Sequence, residues 1–204
     1  HHPAELALGD TAVVAHLEAR GAMVTVVGTH EDSQHDPAQV AAAHDLLLLS
    51  SSQRLIEAAA GYAQTTTPLI FWERLLLEAT QLARWGGTRS EQLYIRIVDA
   101  DHPITAGLLV DERLRVVRRS DTFSVAYPPR GPGVQVLAKH LFGDDSALLV
   151  AEVGAELSNG QPARARTVFL YWYHDTFHLG TDEAVRLFDR AVNWALDLPS
   201  SDGA

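Results

Sequence analysis

PLIFWERLLLEATQLAR, residues 68–84, is the stretch on which the fold turns. Residues 68–72 are an apolar run of strand length behind a proline. Residues 73–84 then set leucines at helical spacing behind Glu73-Arg74, with Gly86-Gly87 placed to stop a helix. A strand that is apolar on both faces belongs in a parallel sheet, because a helix layer on each side buries both faces. Working outward, residues 45–49 (DLLLL) and 22–27 (AMVTVV) read as two more such strands. Residues 10–20, ending at Gly21, and 53–64 read as helices. The alternation of strand and helix is the βαβ pattern, and right-handed crossovers predict that 22–27, 45–49 and 68–72 lie parallel in one sheet with helices on both faces.

Past Gly87 the rhythm changes. Short strand patterns at 93–98, 114–117, 123–126, 134–137, 147–152 and 167–171 alternate with turn residues, which predicts an antiparallel extension of the sheet. Thr181 is placed to cap a closing helix over 184–196, with Asp182 and Glu183 in its first turn and Val185, Phe188, Val192 and Leu196 near one face. The expected organisation is one three-layer, flavodoxin-like α/β domain over residues 1–198 and a flexible polar tail over 199–204.

Composition excludes several classes. The 204 residues carry a net charge of −10, and a surface of that sign repels phosphate, so a nucleic-acid binder is not expected. No apolar run is long enough for a transmembrane helix, so no membrane partner is expected and the chain reads as soluble, with the cytoplasm the favoured compartment. The absence of cysteine removes disulfides, thiolate metal sites and a thiol nucleophile. No cofactor and no metal are expected. The apolar and aromatic second half, together with the frequency of two-fold assemblies, gives a homodimer as the expected oligomer.

Five segments in order resemble the glutamine-amidotransferase-like superfamily and, within it, the ThuA-like (trehalose-utilisation-like) branch. They are the helix opening at Asp10, DLLLLSSS at 45–52, PLIFWE at 68–73, DHPITAGL at 101–108, and TVFLYWYHD at 167–175 followed by a helix ending in NWAL. The resemblance implies a flavodoxin-like fold whose first central strand is missing from this chain, since only nine residues precede the helix at Asp10. It also implies a site at the carboxyl edge of the sheet. In the class I amidotransferases the turn after the strand similar to PLIFW holds a cysteine nucleophile, and here that position is Glu73. A carboxylate cannot take over thiolate chemistry, so no glutaminase activity is expected.

Each candidate residue has a plain role beside the functional one. Glu73 is either a general base or hydroxyl acceptor at the sheet edge, or a first-turn carboxylate facing the helix dipole. Ser50, Ser51 and Ser52 either bind a ligand oxygen or cap the next helix. His102, extended because Pro103 follows, is either an acid-base group or a turn histidine bonded to backbone. His174 corresponds to a histidine in the ThuA-like pattern. Asp175 beside it is a ligand-binding candidate, as is Trp72, whose ring suits a sugar face, with Trp85, Tyr171, Trp172 and Tyr173 as further aromatics. The His174/His178 spacing and the polar loop at 29–36 are weaker metal readings. No serine stands in a glycine-flanked elbow, which disfavours a serine hydrolase. Three functions follow: a catalytically diverged domain that binds a small molecule, carbohydrate or partner without glutaminase activity; a ThuA-like enzyme or accessory protein of carbohydrate metabolism using Glu73, His102 and His174; or a structural subunit whose antiparallel extension mediates self-association.

Overall fold

The computed structural model describes residues 6–27, 36–52 and 56–199. Its helices are α1 (Leu8–Ala19), α2 (Pro37–Ala42), α3 (Ile56–Tyr62), α4 (Leu76–Ala79) and α5 (Asp182–Ala195). Its strands are β1 (Leu47–Leu49), β2 (Leu69–Phe71), β3 (Ala83–Gln92), β4 (Tyr94–Ile97), β5 (Arg113–Arg115), β6 (Asp121–Arg130), β7 (Gln135–His140), β8 (Ser146–Ala151) and β9 (Thr167–Leu170). All nine join one sheet in the order β1-β2-β9-β8-β7-β4-β5. β6 bridges to β8 at Ala126–Ser146 and carries β3 on its far side. β1, β2 and β9 are parallel and every other pairing is antiparallel.

Alternation along the strands splits the core into two layers. Ile70, Val168, Leu170, Leu148 and Val150 face α1 and α5, and pack with Val13, Leu17, Leu187 and Phe188. Leu69, Phe71, Phe169, Leu149 and Ala151 face the opposite way, onto Ala41, Ala59, Tyr62, Leu76 and Leu77 of α2, α3 and α4. This is the α/β architecture with an antiparallel extension expected from the sequence. The expected parallel pairing of 45–49 with 68–72 is present as Leu47–Leu49 beside Leu69–Phe71.

Two expectations fail. Residues 22–27 form no strand: Met23 is 98% exposed and Val26 46%, and none of 23–27 makes a backbone hydrogen bond among the described residues. β-branched composition marks strand capacity, but a strand exists only where a neighbour supplies its ladder, and no described strand pairs with residues 22–27. The helix expected over 73–84 shrinks to Leu76–Ala79. Gln81 takes a left-handed φ of 58°, which ends the turn, and the chain leaves as the ten-residue β3. Gly86 is then no helix stop. It permits close approach, since a Cβ there would lie 2.9 Å from the Arg74 carbonyl oxygen and 2.5 Å from the Leu77 side chain.

Candidate functional site at the carboxyl ends of the parallel strands

Three parallel strands end side by side, and the residues that follow them meet. β1 runs into Ser50, Ser51 and Ser52, β2 into Trp72 and Glu73, and β9 through 171–173 into His174 and Asp175. α1 closes the group from outside. Its first turn presents Asp10, 7% exposed, whose two carboxylate oxygens each accept a hydroxyl, from Ser50 and from Ser52, both at 2.5 Å. Ser50 Oγ in turn accepts the Trp72 indole N–H at 3.1 Å and the Ser52 backbone N–H at 3.1 Å. Ser51 Oγ accepts the His174 backbone N–H at 2.7 Å, and Asp175 Oδ1 accepts the Gly9 N–H at 3.1 Å. The helix start and three strand ends are therefore tied by side chains that discharge one another's hydrogen-bonding capacity.

Glu73 is only 5% exposed. Its Oε1 accepts the Leu75 N–H at 2.8 Å, and the Arg74 guanidinium stands 3.8 Å away. Burial raises its pKa above the ordinary carboxylate value; the Leu75 N–H, the Arg74 charge and His174 pull it only part of the way back. Past the end of the neighbouring strand β9, the His174 side chain is exposed and its ring meets that of Tyr173 edge-on with centroids 4.0 Å apart. His174 holds a left-handed φ of 39°, a conformation that costs a non-glycine residue energy and persists only where the surroundings enforce it. The site thus sets a buried carboxyl, its pKa raised by burial, and a solvent-facing imidazole past the ends of neighbouring strands, an arrangement suited to giving and taking protons or hydrogen bonds.

His102 does not join them. Its ring lies 5.0 Å from Trp194, its Nδ1 accepts the Ile104 N–H at 3.2 Å, and its pKa is lowered by burial, with Asp99 and Glu152 opposing and Arg166 assisting. Arg166 immediately precedes β9 and bonds the Trp194 carbonyl at 2.7 Å, so this cluster sits at the amino end of the parallel strands. His174 follows their carboxyl end, at least the length of β9 away, roughly 13 Å. The predicted three-way convergence is corrected: His102 lies at the other end of the parallel strands from Glu73 and His174. Trp72 is also reassigned: at 3% exposed, with its ring 5.3 Å from Trp172, it is core and offers no face to a sugar. Tyr171 and Trp172 are buried as well, and Trp85 projects from β3 instead.

Ser50 and Ser52 are held by Asp10, and Ser51 Oγ accepts the His174 N–H. Residues 53–55 lie outside the described residues, as do 29–35 of the polar loop; Asp36 caps α2 by accepting the Ala38 N–H. Among the described residues no group of three or more metal-ligating side chains assembles, and His174 with His178 forms no such centre. A cavity of about 220 Å³ does exist, but it lies at the opposite end of the sheet, between Gln64, Gln81, Asn159, Gln161 and Arg164. Sequence reading missed Asp10 and Gly9, because both act through partners more than 40 or 160 residues away, at Ser52 and Asp175.

No protein-family profile matches the chain, and no curated protein matches it. Among solved structures, the chain is similar to the cytoplasmic protein STM3548 from Salmonella typhimurium, with a TM-score of 0.58 and 11% identity over 92% of this chain and 87% of that one. At that identity the likeness concerns the fold alone. No helix among the described residues is long and apolar enough to cross a membrane.

Proposed function

We propose that the protein is a catalytically diverged glutamine-amidotransferase-like domain of the ThuA-like kind that binds a small polar ligand at the carboxyl edge of its sheet, without glutaminase activity. The observation that carries this reading is the placement of buried Glu73 and exposed His174 past the carboxyl ends of the neighbouring parallel strands β2 and β9, where ligands bind in parallel α/β sheets. By the resemblance, Glu73 takes the position of the class I nucleophile, and a carboxyl there can hydrogen-bond a ligand hydroxyl without forming a covalent bond. Asp10 and the three serines serve this site by fixing its walls. The raised Glu73 pKa also favours a second reading, a ThuA-like activity on carbohydrates in which Glu73 and His174 act as acid and base without His102. The same proposal includes a homodimer.

The test is a thermal-shift titration with glucose and with trehalose, alongside ammonia release from glutamine. Wild-type protein is expected to be stabilised by sugar. Glu73→Gln, which keeps an acceptor for the Leu75 N–H, and His174→Ala should lose that response while staying folded. Ammonia should remain at the level of a buffer blank. Glutamine turnover that survives repurification, or a sugar response unchanged in both variants, would overturn the reading.

A further inference from the structure

β3 is an open edge. It pairs with β6 along one side, and among the described residues its other side carries no strand. The direction of its free groups follows from its neighbour. Thr88 lies opposite Ser124, yet the Ser124 N–H donates to the Tyr171 carbonyl at 2.7 Å and the Ser124 carbonyl meets His140 Nε2 at 3.3 Å, both away from β3. In an antiparallel ladder a pair that does not exchange hydrogen bonds with each other points both its members outward. The N–H and C=O of Thr88 therefore face the open side, and those of Gly86, two residues earlier, do the same. Neither residue has a partner there among the described residues.

The side chains along this edge complement themselves. Arg84 and Glu91 are exposed and without an ion-pair or hydrogen-bond partner among the described residues. Between Arg89, opposite Phe123, and Gln92, opposite Asp121, β3 carries one extra residue, so Ser90 and Glu91 share a single ladder position. A two-fold axis through Gly87 would pair Gly86 with the partner's Thr88. It would also bring Arg84 to the partner's bulged Ser90-Glu91 step and set Trp85, 55% exposed, opposite the partner's Arg89. Such a contact uses the same patch twice and closes, giving a dimer and not a fibre.

We propose that the free edge of β3 binds the same edge of a second copy of this chain, antiparallel about Gly87, extending one sheet across two molecules. The inference rests on the homodimer included in the proposal above, and supplies its interface.

The experiment is light scattering behind size exclusion on wild type, Thr88→Pro, Arg84→Glu and the double variant Arg84→Glu/Glu91→Arg, with circular dichroism to confirm folding. Proline at 88 removes an N–H that no intramolecular bond uses. Wild type should be a dimer. Thr88→Pro and Arg84→Glu should each weaken it by about tenfold or more in dissociation constant, and the double variant should recover. Should Thr88→Pro fail to fold, the two charge variants decide alone. A dimer indifferent to these changes would overturn the edge assignment and leave the dimer standing, whereas a monomeric wild type would overturn both.

Discussion

Gly9→Ala is expected to destabilise the protein by about 3 kcal/mol, lowering Tm by roughly 6–12 °C for a chain of this size. A Cβ at residue 9 would lie 2.2 Å from the His174 carbonyl oxygen and 2.9 Å from the Asp175 Cα. Both obstacles are backbone, so no side chain can swing aside. His174 is already fixed in a left-handed conformation by the Ser51 hydroxyl, and α1 cannot retreat without releasing Gly9 from Asp175 and Asp10 from Ser50 and Ser52. Thermal unfolding followed by circular dichroism reads the effect directly. A Tm unchanged by the substitution would mean that the start of α1 does not press against the end of β9.

Acid should remove a comparable amount. His140 is fully buried; its Nε2 lies 3.3 Å from the Ser124 carbonyl and its Nδ1 has no partner. Burial holds its pKa down to about 4 from an ordinary 6.5, with the Ser124 carbonyl opposing, Arg89 assisting and Asp145 opposing. Since the folded state resists the proton that the unfolded chain accepts, the contribution is complete above the ordinary pKa. It declines as pH falls through the interval down to about 4 and then levels off, a loss of about 3 kcal/mol. His102, whose pKa is also lowered by burial, adds in the same direction. Urea unfolding at neutral pH and near pH 4.5 measures the slope. His140→Gln, which has no proton to gain, should flatten it, and an identical slope in the variant would show that His140 is not the group responsible.

The parts of the fold that could be read from the sequence are those whose environment is written in their own residues. The leucines at 46–49 and the run PLIFW are apolar throughout because both faces are covered, and α5 has its Thr181 cap and apolar stripe in a single continuous segment. Residues 22–27 misled because β-branched composition does not show whether a ladder is available. Residues 80–92 misled because Gly86-Gly87 signals a helix end in isolation, whereas here glycine serves a strand that passes close to the Arg74 carbonyl. The site divides in the same way. Glu73 and His174 directly follow buried strand patterns and emerge at the expected edge. His102 follows β4, on the antiparallel side of the sheet, and only the topology shows that its loop turns toward the amino end of β9. Asp10 and Gly9 depend on contacts that no local spacing encodes.

The central claim is that Glu73 and His174 form one site in which a buried carboxyl is tuned by its neighbours. Titrating the Glu73 side-chain carboxyl by carbon NMR, in wild type and in His174→Ala, tests it most directly. The structure predicts a midpoint above the ordinary carboxylate value in the wild type, because burial outweighs the Leu75 N–H and the Arg74 charge, and a further rise when His174 is removed. An ordinary carboxylate midpoint in the wild type, unmoved by loss of His174, would contradict it.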